Sequence, residues 1–183
     1  LLRMKRIDGS MTGNPLGLRY LDATERAMAF PLIAFLLATG TGAQTTEIVV
    51  PMHLADAGGR VAWIGDVTIS ESPYGLVFSP QLRALPPGLH GFHLHENPNC
   101  LAAQKDGAPV AALAAGGHYD PDASGKHGTP WGDGHRGDLP PLNVDAEGSA
   151  TQPVLAPRLK MSDLPGRSLM VHAGGDNHAD HPE

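Results

Sequence analysis

The stretch LHGFHLHE, residues 89–96, is the most informative part of the chain. From Phe92 onward it alternates between apolar side chains and histidines, which is the period of a β-strand. His93 and His95 therefore face one side of the predicted strand, whereas Phe92 and Leu94 face the other. Histidine is the commonest protein ligand for copper and zinc. The stretch thus predicts a strand that carries two metal ligands on one face.

The segments on either side of this stretch also favour β-structure. The 23 glycines and 17 prolines among 183 residues are too many for a helical bundle. Pro51 points to an edge position for its strand, and Gly65 marks a bend or a bulge. From these residues alone, an immunoglobulin-like fold and a barrel are both compatible with the pattern. Strands are predicted at Glu47–Leu54, Val61–Ser72, from Gly75 onward, Leu142–Asp145, Ala150–Leu155 and Ser168–His172.

A very long connection, residues 97–140, follows the histidine strand. A loop of this length inside a compact domain is usually functional, and we expect metal ions to replace its missing apolar core. Three histidines and an aspartate in it form a zinc-like set, which can make a closed tetrahedral shell. These residues are His118, His127, His135 and Asp138. His93, His95 and His172 are left on strands, and three imidazoles with an open position suit a redox copper ion.

Five motifs in this order resemble the bacterial periplasmic branch of the copper–zinc superoxide dismutases. They are GFHLHE, GGHYDP, GKHG, DGHRGDLP and MVHAGGDN. The resemblance runs from about Val49 to Asp176. It implies an all-β fold, a Greek-key antiparallel barrel or sandwich of eight strands with long metal-binding loops.

The resemblance also implies a role for each motif residue. His118 matches the histidine that bridges both metals and takes part in catalysis by releasing and regaining a proton. Asp176 matches an aspartate that hydrogen-bonds one ligand of each metal, and such partners fix the orientation of the imidazoles. By the same matching, copper is held by His93, His95, His118 and His172, and zinc by His118, His127, His135 and Asp138.

The activity implied is the conversion of superoxide to dioxygen and hydrogen peroxide by alternating Cu(II) and Cu(I). One alternative is a non-catalytic copper- and zinc-binding protein of the same fold, and another is a structural zinc domain. The complete copper set argues against both alternatives. The 13 basic residues form no run or stripe, so nothing predicts nucleic-acid binding. The resemblance leaves a homodimer open.

The C-terminal part of the family pattern has no match in this sequence. The family continues through a Gly-rich loop to an arginine beside copper, a second cysteine and a last strand, and none of Arg136, Arg158 and Arg167 fits that arginine's context. Cys100, the chain's one cysteine, matches the family's disulfide cysteine, so it has either lost its partner or is a free thiol. We expect a truncated gene model, in which the absent strand leaves an unpaired sheet edge.

The N-terminal part predicts a leader, residues 1–43, before a domain at residues 44–183. Residues 28–43, MAFPLIAFLLATGTGA, read as a signal peptide that starts at Met28 and is cleaved after Ala43. The apolar run is too short to span a bilayer. The alternative to a signal peptide is a short buried helix. Residues 1–27 are either upstream sequence or a long n-region that begins at Met4. We expect a periplasmic protein without a membrane anchor after cleavage.

Overall fold

The structure is a computed structural model, and it describes residues 2–6, 46–58 and 61–180. Within these ranges the chain forms eleven β-strands and two short 3-10 helices, at Leu113–Ala115 and Met161–Asp163. The strands are β1 (Leu2–Arg6), β2 (Glu47–Ala55), β3 (Val61–Ser72), β4 (Gly75–Leu82), β5 (Gly88–His90), β6 (Phe92–His95), β7 (Ala103–Lys105), β8 (Ala108–Val110), β9 (Leu142–Val144), β10 (Val154–Ala156) and β11 (Ser168–Val171). The predicted all-β class is confirmed.

The strands form three antiparallel sheets. The largest has the order β10-β4-β3-β2-β1-β11-β6, whereas β5 pairs with β9 and β7 pairs with β8. The β7–β8 hairpin belongs to the long loop, and β5 and β6 are one strand interrupted at Gly91. Counted in this way, the described residues contribute eight strands outside the loop. β10 returns to pair with β4, and β11 returns to pair with β6, which is Greek-key connectivity.

The predicted strands agree with the observed ones in most places. β3 has the predicted bounds, and the register between β2 and β3 shifts at Met52, opposite Gly65, so the predicted bulge is present. Gly65 has a φ of 128°, and a Cβ there would lie 1.9 Å from the Gln81 carbonyl oxygen. The predicted start at Ala150 is wrong, because that residue makes only an isolated bridge to Leu82 and the strand begins at Val154.

The predicted edge position of β2 is wrong for the strand as a whole. β2 lies between β3 and β1, because residues 2–6, which the sequence analysis left out of the fold, form β1. The β1 register covers only His53–Ala55 of β2, so Pro51 lies before the segment that is paired on both sides. A proline, which has no amide hydrogen to donate, is therefore compatible with this position.

One apolar core lies under the long sheet. Phe78 and Phe92 are fully buried in it, with ring centroids 5.7 Å apart and planes at 89°, the edge-to-face arrangement that aromatic rings favour. Leu94 and Leu139 are also fully buried in this core, which ties β6 to the end of the long loop. The apolar face of the alternating stretch is therefore the anchor that holds its histidine face in place.

Glycines at two junctions let the loops approach the histidine strand. Gly91 donates its amide hydrogen to the Gly174 carbonyl and accepts one from His172, each at 2.8 Å. Gly137 lies so close to β6 that a Cβ would be 2.2 Å from the Leu94 carbonyl oxygen. Any larger residue at Gly137 would push the loop away from the strand.

The predicted leader lies almost wholly outside the described residues, which exclude 7–45. In the part of the chain that is described, no helix is long and apolar enough to cross a bilayer.

Candidate metal centre

Three histidines reach the centre from strands or their ends. β6 carries His93 and His95, both only 4% exposed, and His172 directly follows β11, the neighbour of β6 in the sheet. A nitrogen from each of these rings and one from His118 all lie within 4.8 Å of one another. The structure therefore brings together the four residues predicted for copper.

Burial keeps the strand histidines neutral. Desolvation lowers the pKa of His95 to about 3 and the pKa values of His93 and His172 to about 4. A neutral imidazole has a free lone pair on one ring nitrogen, which is the form that binds a metal ion. At neutral pH these three side chains can bind a cation without first releasing a proton to water.

The loop histidines converge on one carboxylate oxygen. Nδ1 of His118 and Nδ1 of His127 each lie 2.9 Å from Oδ1 of Asp138, and Nδ1 of His135 lies 3.5 Å from it. Asp138 is 1% exposed. Burial opposes its ionisation, but hydrogen bonds from His118 and from the Gly128 amide outweigh that effect and hold its pKa below the ordinary value. The three histidines predicted for zinc thus face one ionised, buried oxygen. Ligand atoms of His118, His127 and Asp138 lie within 4.8 Å of one another, whereas His135 is not part of that group.

His118 lies between the two sets. Its Nδ1–H donates to Asp138 Oδ1, which leaves Nε2 for the strand side. Its ring stacks on that of His93 with centroids 3.9 Å apart, and for this reason His93 also lies within 4.8 Å of the His118, His127 and Asp138 ligand atoms. The two predicted sets are therefore adjacent, and His118 is the residue they share.

Asp176 accepts a hydrogen bond from one histidine of each set. Its Oδ2 accepts a hydrogen bond from Nε2 of His93 and its Oδ1 accepts one from Nε2 of His127, both at 2.7 Å. Burial opposes ionisation of Asp176, but these bonds and one from the His178 amide lower its pKa well below the usual range. The predicted pair of contacts, one to each set, is present.

Five ring nitrogens of the predicted ligands are buried and lack hydrogen-bond partners among the described residues. The approach of Nδ1 of His127 and of His135 to Asp138 Oδ1 is not a hydrogen bond. A buried polar atom without a partner is costly, about 1–3 kcal/mol each, and native proteins rarely tolerate several together. Two cations would satisfy all five atoms, so the side chains fit a pair of metal ions. The atoms are Nδ1 of His93, Nε2 of His95, Nδ1 of His127, Nδ1 of His135 and Nε2 of His172.

A third group, formed by His127, Asp176 and His178, lies at the rim of the centre. Its ligand atoms are also within 4.8 Å of one another. However, both Asp176 oxygens already accept hydrogen bonds from His93 and His127. An ion bound here would break the link between the two main sets, so we assign His178 to the rim.

His90 lies outside the predicted ligand sets. It is 2% exposed, and its two ring nitrogens lie 2.6 Å from the His172 carbonyl oxygen and 2.8 Å from that of Pro86. It thus holds the backbone of a strand histidine in place. Its position in LHGFHLHE, three residues before His93, was the available signal.

Cys100 is not part of the histidine centre. It is half-buried against a small cluster that includes Ala112, Ala115 and Met170. Burial raises the pKa of its thiol to about 11, so the thiol is protonated and a weak nucleophile at neutral pH.

An open cavity of about 1390 Å³ leads to the histidines. Its wall includes His93, His118 and His172 and the segment 173–177. A small solute can therefore reach the place where the two sets meet, whereas His95 lies behind it.

Comparison with known proteins agrees with this geometry. The family model of copper/zinc superoxide dismutase (SODC) matches residues 63–183. A superoxide dismutase [Cu-Zn] of Actinobacillus pleuropneumoniae is 60% identical in an alignment of 174 residues that covers 88% of this chain and 92% of the relative. The Cu/Zn superoxide dismutase from Brucella abortus has a solved structure that is 50% identical, with a TM-score of 0.73, and the match covers 75% of this chain and 90% of that one. The monomeric enzyme from Salmonella enterica, solved in solution, is 52% identical with a TM-score of 0.68, over 75% and 90% of the two chains.

Proposed function

The chain belongs to the copper/zinc superoxide dismutase family, and on that premise we propose which residues hold the two metals and which one moves the proton. The activity is that of an oxidoreductase. Two superoxide ions and two protons give one dioxygen and one hydrogen peroxide, and the cofactors are copper and zinc. Bound copper supplies the one-electron redox chemistry, by cycling between Cu(II) and Cu(I).

Copper is held by His93, His95, His118 and His172. The support is their mutual approach within 4.8 Å and the buried, unpaired nitrogens of the three strand residues. His95 donates Nδ1–H to the Gly116 carbonyl at 2.9 Å, which fixes the tautomer that leaves Nε2 free. His93 is fixed in the same way by its bond to Asp176.

Zinc is held by His118, His127, His135 and Asp138. Three imidazoles and one carboxylate make a closed four-ligand shell, the kind that structural zinc prefers. The convergence of all three Nδ1 atoms on Asp138 Oδ1 supports this assignment. Asp138 is ionised by its surroundings, so it offers the negative charge that a dication requires.

His118 is the catalytic residue. With Nδ1 committed to the Asp138 side, its Nε2 faces the copper set and the open cavity, where it can hold a proton and pass it to the reduced substrate. Proton delivery by a positioned side chain typically contributes about 10²–10⁴-fold to a rate. Asp176 holds the His93 and His127 rings, both of which lie next to the His118 ring, so that Nε2 returns to the same position after each transfer.

The position of His118, which belongs both to the four-histidine group and to the group that contains His127 and Asp138, is the observation on which the proposal rests. His118→Ala should lower dismutase turnover by at least about 100-fold and weaken binding of both metals. In the wild type, the Cu(II) paramagnetic spectrum should depend on zinc occupancy, and in the variant that dependence should disappear.

The control is His53→Ala on β2, which removes a histidine outside both sets. It should keep metal content, turnover and the zinc dependence of the spectrum. An unchanged zinc dependence in His118→Ala would contradict the shared ligand. A wild-type protein that binds both metals without turnover would instead support the alternative of a non-catalytic metal-binding protein.

Export to the periplasm is part of the proposal, supported by the signal-like residues 28–43 and by the bacterial relatives. Fusion of residues 28–43 to a reporter should direct it to the periplasm, with cleavage after Ala43. In that oxidising compartment Cys100 is a candidate for a disulfide. Because it is the single cysteine here, its partner would come from outside this sequence. A homodimer stays a prediction that sedimentation can test.

A further inference from the structure

One arginine outside both ligand sets donates hydrogen bonds to four main-chain carbonyls of the long loop that carries the predicted zinc ligands. Arg158 donates from Nε to the Pro130 carbonyl and from Nη1 to the Gly134 carbonyl, each at 2.8 Å. Its Nη2 donates to the His135 carbonyl and, at 3.5 Å, to the Thr129 carbonyl. A single side chain thus holds both ends of the seven-residue segment 129–135.

The arginine is anchored in the barrel and not in the loop. It lies two residues after β10, which pairs with β4, and its neighbours Ala156 and Leu159 are each 2% exposed. The Cα of Arg158 is therefore held by buried side chains on both sides. Between residues 129 and 135 the loop has no sheet pairing of its own. The hydrogen bonds from the Arg158 guanidinium therefore tie this segment to a fixed point of the barrel.

A guanidinium suits this task better than an ammonium. It has five N–H donors in a rigid plane, no acceptor and a charge that persists at all physiological pH values. Several carbonyl oxygens that point at one place repel each other, and the planar cation satisfies them together. A lysine has three donors on one atom and cannot reach four separated carbonyls at once.

The contact with the His135 carbonyl connects Arg158 to the predicted zinc set. The same carbonyl accepts the amide hydrogen of Asp138 at 3.2 Å, and the His135 amide donates to the Lys126 carbonyl at 3.0 Å. The turn that sets the His135 ring opposite the Asp138 carboxylate is therefore held by Arg158 at its first carbonyl. Gly134 packs so tightly on Gly128 that a Cβ would lie 2.5 Å from the Gly128 amide nitrogen, so the loop has little room to find another arrangement.

We propose that Arg158 is a positioning residue for zinc, which keeps His135 and Asp138 preorganised through the loop carbonyls and leaves the copper set untouched. This inference rests on the proposed zinc ligands. It assigns no contact between Arg158 and substrate. Partners of this kind typically change metal affinity by about 10–100-fold when they are lost.

The test compares Arg158→Lys with Arg136→Lys in the full chain. Arg136 directly follows His135, but its guanidinium pairs with the Asp122 carboxylate, an exposed contact that a lysine can keep. Zinc and copper affinities are measured separately, each by competition with a chromogenic chelator. For Arg158→Lys we expect zinc affinity to fall about 10–100-fold while copper affinity of the strand set stays within about threefold. Arg136→Lys should leave both affinities near the wild-type values.

Two further measurements separate positioning from general damage to the fold. With cobalt as a probe of the zinc site, the electronic spectrum of Arg158→Lys should show altered ligand geometry. The rate of zinc release from the loaded protein into excess chelator should rise about 10–100-fold, and this rate can be measured even where the metal-free variant does not fold.

The outcomes are distinct. Equal zinc affinity and equal zinc release in Arg158→Lys and the wild type would overturn the role of Arg158. An equal loss of copper and zinc affinity would also overturn this role, because Arg158 would then support the whole fold and not the zinc ligands in particular. A wild-type protein that binds no zinc would instead refute the proposed zinc ligands.

Discussion

The two halves of the metal centre are built differently. The copper half takes His93, His95 and His172 from the ends of paired strands, whose other faces are buried in the apolar core. The zinc half takes His127, His135 and Asp138 from a loop without such a core. Polar contacts hold that loop instead, made by Asp138, Asp176 and the Arg158 guanidinium.

The difference teaches that one half is preformed by packing and the other by charge and hydrogen bonds. Burial keeps the strand histidines neutral and able to bind a cation, whereas the loop histidines gather around an ionised carboxylate. The stability of the strand half should therefore depend on the packing of the core and on pH. Metal binding by the loop half should depend on its carboxylates. The three predictions that follow test this division in order of expected effect.

The largest effect should come from the core beneath the strand half. Phe92→Ala removes a fully buried ring that packs edge-to-face on Phe78. We expect the free energy of unfolding of the metal-free protein to fall by about 3–5 kcal/mol, measured by urea denaturation. Leu89→Ala, at a side chain that is 58% exposed, is the matched control and should change it by less than about 0.5 kcal/mol. A small fall in the free energy of unfolding of Phe92→Ala would mean that core packing does not hold the strand half in place.

Acid should act next most strongly, and through the strand half. Folding lowers the pKa values of His93 and His172 to about 4 and that of His95 to about 3. The unfolded chain therefore binds more protons between about pH 6.5 and pH 4, and stability must fall as the pH is lowered through this range. We expect the metal-free protein to lose on the order of a few kcal/mol.

Unfolding by urea at several pH values measures this slope. His95→Gln removes one of the groups whose proton binding differs between the folded and unfolded states, so its slope should be shallower than that of the wild type. An equal slope in both proteins would show that the strand histidines are not the source of the acid sensitivity.

The smallest of the three effects should come from the link between the halves. Asp176→Asn keeps one acceptor and replaces the other by an NH₂ group, so either His93 or His127 loses its partner. Metal affinity should fall about 10–100-fold. We expect zinc to tighten copper binding in the wild type, and this tightening should be lost in Asp176→Asn. Asp133→Asn, at a carboxylate that pairs with Lys126 in solvent, should have no such effect. Wild-type coupling in Asp176→Asn would mean that His118 alone joins the halves.

The strand half was largely predictable from local sequence. Alternation in LHGFHLHE places His93 and His95 on one face because side chains in a strand alternate regardless of what surrounds them. The break at Gly91 was not predicted, since it arises from hydrogen bonds to Gly174 and His172, far along the chain. The edge assignment of β2 failed for a similar reason, because the pairing of β1 is not local.

The residue types in the long loop indicated a zinc-like set, but only the family resemblance implied a role for each member of the loop half. No period links His118, His127, His135 and Asp138, and their convergence on one oxygen follows from the path of the loop. Arg158 carried no signal for its task, since its acceptors are main-chain carbonyls, which every residue has. Its role became visible only where β10 and the loop meet.

The sequence by itself determined the residue types, the strand period around His93 and the order of the five motifs, and these were sufficient for the class of fold, the family and the metals. Tertiary structure alone decided which nitrogen of each ring faces inward, how Asp176 spans the two sets and how Arg158 holds the loop. The physical reason is that side-chain chemistry and backbone period are local properties. Burial, ring tautomers and carbonyl geometry depend on groups that only folding brings within about 3 Å of each other.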